Sequence, residues 1–255
     1  MKPSLRSFSN ALRIAAVLLA AGGITACAVV PALAQRIRNL VQRPTLVEYD
    51  PPALSVDTSP LEQAGCTLSQ PWWTCPAGGP QEEWGCEVLQ SVSPLLGGLT
   101  PAPLAACIVR GHDALPEGEF LYSTGCAYPG YIRYVVAENG SLRLVRNLEE
   151  LRALAAPIET PEEALSYALA SQGLSALYDL SIDPSFRYQT RQLEETHVET
   201  TSEGYRVLLF NDDLCGCGPH TTFAVPVEVS RGGKVMPLEP QPLFQNPEYD
   251  GLCVD

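Results

Sequence analysis

The stretch Tyr131-Ile-Arg-Tyr-Val-Val-Ala-Glu-Asn-Gly-Ser-Leu-Arg-Leu-Val-Arg146 decides the fold class. Tyr131–Ala137 and Ser141–Arg146 are rich in β-branched, aromatic and aliphatic residues, and Asn139-Gly140 stands between them. Asn-Gly between two apolar runs is the strongest local signal for a hairpin, because both central residues of a type I′ turn need positive φ. The same residues, Asn139-Gly140-Ser141, match a glycosylation acceptor, but the turn alone explains them.

Two helices follow the hairpin. Asn147-Leu-Glu-Glu150 is a capping box ahead of Leu148, Leu151, Leu154 and Ala155, which share one helical face until Pro157. Thr160-Pro161-Glu162-Glu163 starts the second helix, with an N-cap, proline at the first helical position and acids at the positive helix end. Leu165, Ala168 and Leu169 give that helix its buried stripe and Gly173 ends it. Three strands then follow. Leu193–Thr201 alternates and is polar, Tyr205–Phe210 is apolar and central, and Thr222–Val229 puts Phe223, Val225, Val227 and Val229 on one face. Pro226 removes a ladder donor, so the last of these is expected at an edge or a bulge. Arg231-Gly-Gly-Lys234 turns the chain into Val235–Leu238.

The expected fold is therefore α+β: an antiparallel sheet meander with two short helices packed on it, preceded by a disulfide-rich lobe of loops and short strands. A helix followed by an antiparallel meander is similar in element order to PepSY- and cystatin-like small domains, a likeness of about 80 residues that assigns no residue a role. The expected divisions are an export segment at 1–34, a proline-rich tether at 35–60, a cysteine-rich lobe at 61–130 and an α+β domain at 131–255 with a pinned tail. Within the lobe, a short helix is expected near Glu87–Leu96, and strands near Leu104–Val109 and Glu119–Ser123.

The N-terminus sets the compartment. Lys2, Arg6 and Arg13 precede the apolar run Ile14–Ile24, the pattern of an export signal. Three endings fit it. Ile24-Thr-Ala-Cys27 resembles a bacterial lipobox with Cys27 as the lipidated residue. Ala32-Leu-Ala34 fits cleavage to a secreted chain, and Ile14–Ala34 is long enough to remain as a spanning anchor. All three make the chain extracytoplasmic, either secreted or tied to a membrane through its N-terminus. Cysteine arithmetic agrees. Of nine cysteines, Cys27 belongs to the lipobox, and Cys66, Cys75, Cys86, Cys107, Cys126, Cys215, Cys217 and Cys253 form an even set that reads as four disulfides. Cys215 and Cys217 point the same way along an extended chain, so each is expected to bond elsewhere, Cys253 being one partner.

Charge narrows the partners. The chain has 16 Lys+Arg against 29 Asp+Glu, a net −13, which offers no positive field for nucleic acid. A protein or carbohydrate ligand remains compatible with it. No cofactor is expected. The chain has no Gly-x-Ser-x-Gly elbow, no His-Glu-x-x-His and no phosphate-binding glycine loop. Lys2 and Lys234 are the only lysines, which disfavours Schiff-base chemistry. His112 is read as a surface loop residue.

Three constellations remain. Trp72, Trp73 and Trp84 fall within one short span and form the expected contact surface for a partner or a sugar, unless they are the core of their lobe. Asp212, Asp213 and His220, interleaved with Cys215 and Cys217, offer a metal site as the alternative function, against the plainer reading of a loop with oxidised cysteines. Glu195, His197 and Glu199 alternate on one face, where they would hold a cation, respond to pH or merely guard a strand edge. The expectation is an exported, lipid-anchored, disulfide-stabilised binding or structural module without a recognisable catalytic motif.

Overall fold

The computed structural model describes residues 43–110 and 115–254. The export segment, Cys27, the first part of the expected tether and His112 lie outside the described residues.

The chain enters through strand β1 (Thr45–Val47) and helix α1 (Ser59–Gln63). Seven strands then build the first sheet: β2 (Thr67–Ser69), β3 (Trp72–Thr74), β4 (Val88–Ser91), β5 (Pro103–Arg110), β6 (Tyr122–Thr124), β7 (Gly130–Glu138) and β8 (Ser141–Val145). Helix α2 (Pro80–Glu83) lies between β3 and β4, and a 3₁₀ turn, Pro94–Gly98, follows β4. All ladders in this sheet are antiparallel, in the order β2-β3-β4-β5-β7-β6, with β8 also on β7. Helices α3 (Leu148–Ala155) and α4 (Pro161–Gln172) come next.

The remaining strands are β9 (Arg187–Tyr188), β10 (Gln192–Glu194), β11 (Val198–Thr200), β12 (Gly204–Asp213), β13 (Gly216–Cys217), β14 (Thr221–Ser230), β15 (Val235–Pro237), β16 (Gln241–Gln245) and β17 (Cys253–Val254). Six of them form the second antiparallel sheet, β11-β12-β14-β16-β9 with β15 on β14. The protein is a mostly-sheet α+β fold of antiparallel sheets, four short helices among the described residues and four disulfides.

The hairpin forms where expected, Glu138 facing Ser141 across Asn139 (φ 51°) and Gly140 (φ 77°). Asn147 accepts from the Glu150 N–H at 2.9 Å, while Glu150 reaches back one residue further than a capping box requires, to the Arg146 N–H. At α4 the box is complete: Thr160 and Glu163 cap each other's N–H groups at 3.1 Å.

Helix α4 carries more than a stripe. Every residue from Ala164 to Ser171 is buried, because the helix lies in the core between the two sheets. Ile132, Tyr134 and Val136 reach this core from the first sheet, and Val207, Leu209, Val225 and Val227 from the second. Its small residues admit close neighbours. Gly98 donates to Ser166 Oγ at 3.0 Å, and a Cβ on Gly98 would lie 2.5 Å from both Glu162 O and Ser166 Oγ. A helix buried on all sides is apolar or small all round, as this one is.

Several expectations change. The lobe and the α+β unit are not separate: β5 of residues 61–130 and β7 of residues 131–255 are neighbours in one ladder, so the border at 130/131 crosses a hydrogen-bonded sheet. The described part of the tether is docked, since β1 pairs in parallel with β10 and Leu46 packs with Leu193, Phe210 and Leu243. Glu87–Leu96 is strand and 3₁₀ turn, because Leu89 and Gln90 are taken into ladders on both sides. Strand β14 is interior rather than an edge, and the expected bulge falls in its ladder with β16, where the register shifts between Thr222 and Phe223. Pro226 sits between the stretches paired with β16 and β15, where no ladder donor is required, and Leu238 N donates to its carbonyl.

Candidate functional site

Trp73 is 2% exposed and sits with Leu61, Leu89 and Val135 on the face of the first sheet turned away from α4. Trp84 is half-buried against the same cluster. Trp72, the next residue along β3, points to the opposite side and is 44% exposed. The three indoles therefore do not make one surface: two help build the core, and one is free. Alternation along a strand separates neighbours that look adjacent in the sequence.

The eight cysteines pair as Cys66–Cys75, Cys86–Cys107, Cys126–Cys215 and Cys217–Cys253. Cys215 and Cys217 take different partners, and Cys253 is one of them. Cys217–Cys253 bridges β13 and β17 directly, which pins the tail. Cys126–Cys215 ties the β6–β7 loop of the first sheet to the end of β12 in the second.

The loop proposed for a metal is used otherwise. His220 is 5% exposed, with Nδ1 3.0 Å from Asp213 O and Nε2 3.0 Å from Leu252 O. Both ring nitrogens are thus occupied by main-chain carbonyls, and neither turns to the loop's acids. Asp212 accepts from Thr222 Oγ1 at 2.5 Å, and Asp213 is exposed. Among the described residues no three His, Cys, Asp or Glu side chains are grouped to hold a metal ion. This loop is a structural latch between β12 and the C-terminal tail.

The Glu195–His197–Glu199 alternation breaks because the chain leaves the ladder between β10 and β11. Glu195 turns inward, 2% exposed, and accepts from Tyr49 N at 2.9 Å and Leu180 N at 2.7 Å. Two partly buried main-chain donors from distant segments are satisfied by one buried carboxyl group, which locks β1 to the body. Glu194 takes its place beside His197, whose Nε2 is 3.6 Å from Glu194 and 3.9 Å from Glu199 while Nδ1 meets Glu195 O at 2.8 Å. Tyr49 stacks on the imidazole with ring centroids 4.2 Å apart.

The most site-like feature lies elsewhere. A cleft of about 530 Å³ opens between the α4-facing side of the first sheet and the C-terminal end of α4. Its buried floor is Leu96, Ile108, Ile132, Tyr134 and Leu169, and its exposed rim carries Ser93, Thr124 and Ser175. Among the described residues, no Asp, Glu, Lys, Arg or His lines it. The Tyr122 ring forms one wall and packs on the helix end. Gly173 closes α4 with φ +64°, and a Cβ there would fall 2.5 Å from that ring, so glycine is needed twice over.

The Tyr122 and Tyr134 hydroxyls meet at 2.9 Å inside the cleft. Burial pushes the Tyr134 phenol well above the usual tyrosine range and raises Tyr122 as well, so both remain neutral hydroxyls. Sequence reasoning missed this pair. The available signal was the alternation of Tyr131–Ala137, which puts Ile132, Tyr134 and Val136 on one face; Tyr122 lies in a strand too short to carry such a pattern.

The class so defined is a disulfide-stapled, mostly-sheet α+β protein of the kind that matures in an oxidising compartment. No family model, no curated protein and no solved structure matches the chain. No helix among the described residues is long and apolar enough to cross a membrane.

Proposed function

We propose that this protein is an exported binding module, held at a membrane by a lipid on Cys27, that takes a small apolar molecule into the cleft between the first sheet and α4. The observation that carries the reading is the cleft itself: about 530 Å³, an apolar floor, a polar rim of hydroxyls and the Gln90 amide, and no charged lining residue among the described residues. Small-molecule sites are concave, mostly apolar, roughly 300–1,000 Å³ and fitted with a few polar groups that orient the ligand. An uncharged lining supplies contacts for binding and no carboxylate or imidazole for proton transfer. The disulfide from Cys126 to Cys215 braces the loop that follows the β6 wall, which favours a pre-formed site.

The test is a titration of the oxidised protein with phenylnaphthylamine, a neutral probe whose fluorescence rises in apolar surroundings. Saturation at one probe per chain is expected. Ala106→Phe, which fills the cleft from β5, weakens binding at least about tenfold, given that one methylene in an apolar pocket is worth about 1–3 kcal/mol. Absence of saturable binding, or equal binding by Ala106→Phe, refutes the reading. For the anchor, Cys27→Ser should release the protein from the membrane; retention with an unchanged N-terminus contradicts lipidation.

A further inference from the structure

We infer that the cleft selects a neutral molecule with an apolar body and one hydrogen-bond acceptor, a ketone, ester or amide carbonyl, which sits on the Tyr122–Tyr134 hydroxyl pair. This rests on the binding reading above and adds the chemistry of the ligand. Two hydroxyls 2.9 Å apart share one proton, so the pair has a second proton to donate. Tyr122 and Tyr134 make no other side-chain hydrogen bond among the described residues, and both line the cleft. A buried donor requires an acceptor. The hydroxyl that accepts from its neighbour is also polarised into a better donor by that bond.

Charge selection follows from what is missing around the pair. A carboxylate entering the cleft would shed its hydration shell and meet no cation among the described lining residues, inside a chain of net −13. An ammonium would meet no carboxylate among those described residues. A neutral carbonyl loses less hydration and regains a hydrogen bond from the tyrosines. The floor of Leu96, Ile108, Ile132 and Leu169 receives the hydrocarbon, and the hydroxyl pair fixes which end goes in.

The experiment compares methyl octyl ketone with decanoate, equal in carbon number, as competitors of phenylnaphthylamine on the oxidised protein. The ketone is expected to displace the probe at a concentration at least about tenfold below that of decanoate, since a buried unpaired charge is far costlier than a neutral polar group. The infrared carbonyl stretch of the bound ketone should lie below its value in hexane. In the isosteric double variant Tyr122→Phe/Tyr134→Phe, which keeps both rings, the probe still binds, the ketone weakens about fivefold and its stretch returns to the hexane value. Decanoate binding as tightly as the ketone, or a bound stretch already at the hexane value in the unmodified protein, overturns the inference and leaves the cleft reading standing. Should the double variant not fold, the infrared result on the unmodified protein decides alone. Failure of the probe itself to bind overturns the reading on which this one rests.

Discussion

Ser166→Ala should destabilise the protein although alanine is the better helix former. Ser166 is fully buried in α4, and its hydroxyl joins two main-chain groups of the Pro94–Gly98 turn: it donates to Leu95 O at 2.5 Å and accepts from Gly98 N at 3.0 Å. A methyl in its place removes both bonds and leaves both partners without one. Each unsatisfied buried group costs about 1–3 kcal/mol. The turn is only partly buried, so water offsets some of this, and alanine returns about 0.5 kcal/mol of helix propensity. The net expectation is about 2 kcal/mol of lost stability, or roughly 4–8 °C in Tm for a chain of this size. Ser171→Ala is the internal control. Ser171 is equally buried, but its hydroxyl donates to Ala168 O within its own helix, and its removal should change stability by no more than about 0.5 kcal/mol. The assay is urea unfolding with the disulfides intact, reading the midpoint at constant m. Equal midpoints for the two variants would refute the claim that α4 is clamped through Ser166.

Three further outcomes follow. Replacing Glu195 by alanine strands the Tyr49 and Leu180 N–H groups, so β1 should open locally and proteolytic cleavage near residues 43–50 should accelerate about tenfold; an unchanged cleavage rate contradicts the docking of this segment. Burial pushes Tyr167 up to about 12 and raises Tyr134 well above the usual tyrosine range, so their neutral forms stabilise the fold fully below about pH 10, and stability falls as pH climbs from there through the folded values. Unfolding midpoints that stay flat over that interval would contradict their burial. Removing the Cys126–Cys215 bridge, which closes a separation of 89 residues, should cost about 4.6 kcal/mol, against about 2.6 for Cys66–Cys75 at a separation of 9; the midpoints of the two double-serine variants test the order.

What the sequence disclosed was what local chemistry determines. The Asn139-Gly140 turn, the Thr160–Glu163 box, Gly173 and the alternation of Thr222–Val229 each act over a few residues, and each is found. Long-range pairing is different. Residues 45–47 read as linker because their partner, 192–194, lies far away in the sequence, and three residues carry too little pattern to announce it. Val88–Leu96 has helical apolar spacing, yet ladder bonds from both neighbours outweigh so small a preference. In α4 the sequence marks only Leu165, Ala168 and Leu169 as a buried stripe; Ala164, Ser166, Ala170 and Ser171 are buried as well because small residues let a turn and two sheets come close. The cleft was invisible for a related reason. Its walls come from β4, β5, β6, β7 and α4, and its chemistry is the lack of charge across all of them. The tryptophans drew attention by composition, but a sheet sends Trp72 and Trp73 to opposite faces.

The central claim is that the cleft, and not the exposed Trp72 surface, is where this protein takes its ligand. Resonances of isotopically labelled, fully oxidised protein, followed as phenylnaphthylamine is added, test it directly. Shifts concentrated at Leu96, Ile108, Ile132, Tyr134 and Leu169 are the predicted result. Shifts confined to the exposed Trp72 and its β2 partner Ser69, with the cleft residues unmoved, would contradict it.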